Sequence, residues 1–293
     1  MINQLFMPLH ELESYYREKR KRDFEKGRKL KAIHARKAFY PCFKIFLKID
    51  RLFRRQKIIV LGNKPSKKGQ YIFACTHIGE NDLENIYESI GRSCWWFVGD
   101  PGFMYKDISG LLTWLNGCIF LDLPHRDDCH IAFYRAVELL KDGGSLMIFP
   151  EGARNGSENL PVLKLFPGTA RMAIQTGVKI IPVGIEQYEK RFVIKFGDNI
   201  CPEEFESEEN LNVALRDTLA SLKWDIWENE GIQKRNHIPE NYKEMFYNDF
   251  ERKIYPYDTL ETIERAKYRS KEEQEYLKVY EDLIRLKKRI KGN

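Results

Sequence analysis

Tyr71-Ile72-Phe73-Ala74-Cys75-Thr76-His77-Ile78-Gly79-Glu80-Asn81-Asp82 is the stretch that decides how the chain is read. Residues 71 to 75 form a short apolar run of the kind found in strands covered on both faces. A polar turn containing Gly79 follows, and a helix is predicted over 82 to 90, opened by Asp82. Strand, turn and helix in that order make an α/β unit whose polar groups gather at the carboxyl end of the strand, where such folds place ligands.

The same texture recurs outward from this unit. Apolar runs at 57 to 61, 94 to 98, 118 to 123, 145 to 149, 179 to 185 and 191 to 196 are separated by Gly, Pro and charged turns. Helices are predicted at 107 to 116, 128 to 141 and 168 to 176; Asp127 or Asp128 caps the second of these and Gly143-Gly144 stops it. Residues 207 to 228 read as an amphipathic helix through Leu211, Leu215, Leu219, Leu222 and Ile226. The expected fold is α/β: a mixed, mostly parallel central sheet flanked by helices, with helical extensions at both ends. Residues 57–230 form that domain, 1–56 a basic amphipathic helical segment, and 231–293 a charged helical extension with a long helix near 269 to 291.

Composition agrees with a large buried core. Of 293 residues, 43% are apolar and 13% aromatic, while 31% charged residues and a mean hydropathy of −0.52 exclude a polytopic membrane protein and global disorder. Six cysteines show no C-x-x-C pair and no secretory leader precedes them, which disfavours a disulfide framework or zinc site and indicates a reducing, cytoplasmic compartment.

The net charge of +6 conceals an asymmetry. The first 70 residues hold 20 Lys+Arg against 6 Asp+Glu, and the rest hold 29 against 37. A polyanion would therefore meet the amino-terminal end, whether nucleic acid or an anionic membrane surface. Residues 11 to 37 suit a solvated helix. Over 39 to 55, Lys44, Lys48, Arg51 and Arg55 recur along one helical stripe, with Phe39, Phe43, Phe46, Leu47, Ile49, Leu52 and Phe53 in the other directions. Such a helix either lies in the headgroup region with its aromatics inserted or packs on the core. The helical spacing of the phenylalanines argues against a single-stranded nucleic-acid platform.

The sequence contains no G-x-S-x-G elbow, P-loop or G-x-G-x-x-G. Two other strand ends carry chemistry. Five positions apart, His77 and Asp82 can meet only across a turn, for which Gly79 supplies the flexible point. A carboxylate on one imidazole nitrogen fixes the tautomer and raises the basicity of the other, as a general base needs. At the second strand end, Phe149-Pro150-Glu151-Gly152-Ala153-Arg154 offers a guanidinium fork for phosphate or carboxylate and a glycine whose N–H can approach an oxyanion.

The two elements together, H-x-x-x-x-D and F-P-E-G-x-R, resemble the glycerolipid acyltransferase family of lysophosphatidate acyltransferases and their relatives. Gly117-Cys118-Ile119-Phe120-Leu121-Asp122 resembles the second block of that family, and Ile180-Ile181-Pro182-Val183-Gly184-Ile185 its fourth. The resemblance implies acyl transfer from an acyl thioester, on coenzyme A or acyl carrier protein, to the hydroxyl of a lysophospholipid such as 1-acylglycerol-3-phosphate. It implies no metal, no cofactor and no covalent acyl-enzyme. His77 would be the base and Asp82 its orienting partner, while Glu151, Gly152 and Arg154 would line the acceptor site.

Departures from the family pattern bear on the acceptor. The arginine that normally follows the second-block aspartate is Leu123 here, so Arg126 is a candidate substitute or the acceptor carries a different head group. Thr76 replaces a common Asn, Ala153 a common Thr, and Pro167 the usual Lys, with Lys164 upstream. The expected partners are a lysolipid acceptor, the thioester carrier and an anionic membrane surface on whose inner, cytoplasmic face the protein sits peripherally, with no nucleic acid. Alternatives are acyl transfer to another lipid or glycoconjugate hydroxyl, an esterase using the same cleft, and a non-enzymatic membrane-binding protein.

Overall fold

The computed structural model describes residues 7–230, apart from 31, 67, 80, 100–107, 123–124 and 156–159. The expected extension 231–293, with its helix near 269 to 291, and Leu123 lie outside the described residues. Seven strands make one sheet: β1 (Lys57–Leu61), β2 (Ile72–Cys75), β3 (Trp95–Gly99), β4 (Cys118–Leu121), β5 (Leu146–Ile148), β6 (Ile180–Tyr188) and β7 (Arg191–Phe196). Their order is β1-β7-β6-β2-β5-β3-β4, and every neighbouring pair is parallel except the β6–β7 hairpin. The sheet is therefore mixed and mostly parallel, as the apolar runs predict.

Around it lie α1 (Leu9–Glu25), α2 (Ile33–Arg36), α3 (Tyr40–Phe53), α4 (Asp82–Ile90), α5 (Ile108–Asn116), α6 (Arg126–Lys141), α7 (Gly168–Thr176) and α8 (Glu208–Glu230). Alternation along β2 shows why both faces need helices: Ile72 and Ala74 join the layer of α6, α7 and α8, while Phe73 and Cys75 join that of α3 and α4. All four are fully buried. On α8, Leu211, Leu215 and Leu219 enter the first layer, and Leu222 packs so closely on β6 that a Cβ at Gly184 would lie 3.0 Å from the Leu222 Cβ.

The amino-terminal segment differs from the expected single helix over 11 to 37. It breaks after Glu25 because Gly27 adopts φ +63°, with Gly27 N–H bonded to Phe24 O and Arg28 N–H to Asp23 O. Nor is α1 merely solvated. Arg17 meets Asp122 at 2.5 Å, and Arg20 grips Asp128 with two bonds of 2.9 and 2.6 Å. Asp128 also accepts the Asp122 N–H at 2.7 Å. Asp127 and Asp128 therefore sit in the first turn of α6, which starts at Arg126 after His125, instead of capping it. Negative charge there complements the helix dipole, and Asp128 is additionally the socket for α1.

Residues 39 to 55 pack on the core through one face of α3 and leave the other face bare. Phe43 and Leu47 are buried against Tyr87 and Trp96. Ile45, Phe46, Ile49, Leu52 and Phe53 are exposed, spanning an arc of about 120° at ordinary helical pitch. The basic stripe needs correcting: Arg51 is committed to Glu88 at 2.8 and 3.1 Å, and Arg55 lies past the helix end with φ +55°. Lys44 and Lys48 remain exposed on the helix.

Candidate active site

After Cys75 the chain leaves the sheet with one last pair of bonds: Thr76 N–H donates to Val183 O, and the Thr76 hydroxyl accepts the Ile185 N–H, both at 3.0 Å. The next residue, His77, stands at the strand end. Its Nδ1 lies 2.9 Å from Asp82 Oδ2, so Nδ1 carries the proton and Nε2 is the basic nitrogen, on the opposite edge of the ring. That same oxygen accepts the N–H groups of Ile78 at 2.6 Å and Gly79 at 2.9 Å. Three donors on one oxygen of a buried carboxylate fix Asp82 in place. The left-handed turn that permits this falls on Asn81, φ +65°, and not on Gly79 as expected; asparagine tolerates that region better than most residues.

The second strand end folds onto the first. Phe149 stacks on the His77 ring with centroids 4.2 Å apart. Asn155 N–H donates to His77 O at 2.7 Å. Glu151 is fully buried: its Oε1 accepts the His77 N–H at 3.0 Å and its Oε2 the Leu163 N–H at 2.7 Å. Burial pushes this carboxyl up to about 7, opposed by those two N–H bonds and by the charges of Lys223 and His77. Lys223 on α8 is itself buried, donating to Ile185 O at 2.8 Å and to Glu186.

The structure thus brings His77, Asp82, Glu151 and Gly152 together, with different postures from a common lining. Glu151 lies behind His77. Gly152 is exposed, but its N–H donates to Phe149 O at 3.1 Å, closing a turn instead of facing an oxyanion. Its φ of +65° and a Cβ that would meet the Phe166 ring at 2.6 Å explain the glycine. Arg154 is 9% exposed and directly precedes the Asn155 amide that holds His77. Arg126 is not part of this cluster. It opens α6 beyond β4, three strands from β2, which is roughly 14 Å at ordinary strand spacing, and it lines a separate cleft of about 390 Å³ with Arg17, Lys21 and His125.

Sequence reasoning missed Asn155 and Leu163, which act through main-chain amides and so leave no signature in residue type. Phe149 takes its role only from the fold, which stacks it on His77. Cys75 is buried, and burial holds its thiol well above the ordinary range, so it stays a neutral thiol two residues from His77. Among the described residues, no group of three His, Cys, Asp or Glu could hold a metal ion, and no helix is long and apolar enough to cross a membrane.

This arrangement, a carboxylate-held imidazole at a strand end with a second strand-end block clamped to it, suits general-base chemistry on a hydroxyl. Residues 57–186 match the family model described as Acyltransferase, the segment that carries the resemblance to the glycerolipid acyltransferases. The chain is 33% identical over 103 residues to the 1-acyl-sn-glycerol-3-phosphate acyltransferase of Haemophilus influenzae, covering 35% of this chain and 42% of that protein. With the Saccharomyces cerevisiae protein of the same name it shares 24% identity over 162 residues, 55% of this chain and 51% of that one. The chain thus spans about half the length of these relatives. The crystal structure of the 1-acyl-sn-glycerophosphate acyltransferase PlsC of Thermotoga maritima superposes with a TM-score of 0.54 at 21% identity, covering 72% of this chain and 88% of that one, which establishes the shared fold.

Proposed function

We propose that the protein transfers a fatty acyl group from an acyl thioester to the hydroxyl of a lysophospholipid such as 1-acylglycerol-3-phosphate, in phospholipid synthesis or remodelling. The observation that carries this reading is the 2.9 Å contact between His77 Nδ1 and Asp82 Oδ2. It leaves Nε2 as the base, at a ring still 22% exposed. In this mechanism Nε2 takes the proton of the acceptor hydroxyl while its oxygen attacks the thioester carbonyl carbon. The tetrahedral intermediate then collapses with breakage of the C–S bond, and the departing sulfur takes the proton back from His77. No acyl-enzyme is needed. Arg154 is assigned to the acceptor phosphate, since its planar fork matches that anion. Coenzyme A or acyl carrier protein brings the acyl group.

The protein meets its lipids at an anionic membrane surface, on the inner face, through α3. β1 runs opposite to β2, so Lys57 and the carboxyl end of α3 reach the same sheet edge as His77. Phe53, 82% exposed, and Leu52 therefore lie at the end of the sheet where His77 stands, and Leu111 and Trp114 on neighbouring α5 are exposed as well. Insertion of this face, with Lys44 and Lys48 at headgroup level, would set the site against the bilayer. The deciding experiment incubates the protein with labelled acyl thioesters and a panel of lysolipids and identifies the products by mass spectrometry. Acylated phospholipid is expected. Free fatty acid formed without dependence on acceptor would identify an esterase instead.

A further inference from the structure

His77 has left the sheet, so its main-chain groups must find partners elsewhere. Both find them in the segment after β5: the N–H on Glu151 Oε1 and the carbonyl on Asn155 N–H. Asp82 and Phe149 fix the rotation and plane of the ring, but neither fixes how far the residue stands out from the strand end. The Glu151 bridge does, because its other oxygen is anchored on the Leu163 amide. We propose that Glu151 is a positioning residue for His77, setting the height of the imidazole through the His77 amide and making no contact with the acceptor. The proposal rests on the reading of His77 as the base.

Several observations support this role and account for the residue type. Glu151 is 0% exposed, so the acceptor has no access to its carboxylate as the chain stands. Two N–H donors approach its two oxygens, one from the end of β2 and one from the segment before α7, and a carboxyl group offers an acceptor to each. Glutamine would set an NH2 against one of those donors. Aspartate is one methylene too short to span them. Loss of the bridge would leave a main-chain N–H without its acceptor and let His77 drift, and displacements of about 1 Å cost on the order of a hundredfold in rate.

The test compares Glu151→Gln and Glu151→Asp with the unaltered full-length chain, alone and in combination with His77→Ala. The readouts are kcat, both KM values, thermal melting, and the imidazole nitrogen resonances of His77 through a pH titration. In folded Glu151 variants kcat should fall about tenfold or more, both KM values should stay within about twofold, and the His77 resonances and titration should shift. In the His77→Ala background the Glu151 substitutions should cause no further loss, because residues acting as a unit are not additive. A tenfold rise in acceptor KM with unmoved His77 resonances would overturn the proposal and make Glu151 an acceptor contact. If Gln does not fold, the Asp variant carries the same comparison. Full activity of His77→Ala would defeat the base assignment, whereas the resonances would still report whether Glu151 holds His77.

Discussion

The imidazole of His77 lies on the ring of Phe149, centroids 4.2 Å apart and planes 21° from parallel. Two blocks separated by about seventy residues thereby share one wall of the site. The stack holds the ring in the plane where Nδ1 meets Asp82, which orients Nε2 before any substrate arrives. Phe149→Ala should therefore lower kcat with little change in melting temperature relative to a core truncation, as steady-state kinetics beside a melting curve would show.

His77→Ala should reduce acyl transfer by several orders of magnitude, the usual effect of removing a base that acts together with its partner. Asp82→Asn should lose a large part of the rate and also some stability, since Asp82 Oδ2 serves the Ile78 and Gly79 amides as well as His77. Initial rates with thioester and lysolipid check this. Near-normal turnover in His77→Ala would refute the mechanism.

Arg154→Ala is expected to raise the acceptor KM while the donor KM moves little, and lysine should restore only part of the loss because it lacks the bidentate fork. Equal damage to both substrates would indicate a structural role. An unchanged acceptor KM would pass the phosphate to another cation, with Lys164 nearer in sequence than the distant Arg126.

The two faces of α3 should separate cleanly. Leu52→Glu with Phe53→Glu should abolish vesicle co-sedimentation without lowering the melting temperature. Phe43→Ala should cost about 3 to 5 kcal/mol of stability, as buried phenylalanines do. Reversing Lys44 and Lys48 should weaken binding to anionic vesicles at low salt only. Arg51→Glu should destabilise the fold, since it sets like charge against the partly buried Glu88.

Stability should carry a mark of Glu151. Its folded pKa of about 7 stands above the ordinary 4.5, so between these values the folded chain binds more protons than the unfolded one. The associated stability is complete below pH 4.5 and is lost as pH rises through 7, to an extent of roughly 3 kcal/mol. Urea melts of the native chain and Glu151→Gln at pH 5 and pH 8 should show the native chain's advantage shrinking with pH. An advantage constant with pH would show that Glu151 is ionised throughout.

Gly152→Ala should destabilise the turn after β5, because the backbone is left-handed there and the new methyl would strike Phe166. Adding Phe166→Ala should relieve the collision but not the φ penalty. Melting of the single and double variants measures both parts.

How much of this was legible in the residues follows from which interactions depend on side-chain type. Apolar runs of strand length and helical stretches between them mark β2, β5, β6 and their helices because burial on two faces demands continuous apolarity. The His77 and Asp82 pair was legible because a turn is the only way to join residues five apart. Arg51 shows the opposite case: on the helical wheel it belongs to a solvated stripe, yet Glu88 on α4 claims it, and nothing local to either residue announces that pairing.

The sequence by itself determined the α/β class, the boundaries of most elements and the identity of the two chemical blocks, since periodicity, caps and turn residues are short-range properties carried by each segment. Only the tertiary structure decided what the polar groups do to one another. It buried Glu151 behind His77, turned the Gly152 amide inward onto Phe149, tied Arg17 and Arg20 to the entrance of α6, and left one face of α3 bare. Those outcomes depend on the order of strands in the sheet, which sets residues far apart in the chain side by side and is fixed by the packing of all the elements together.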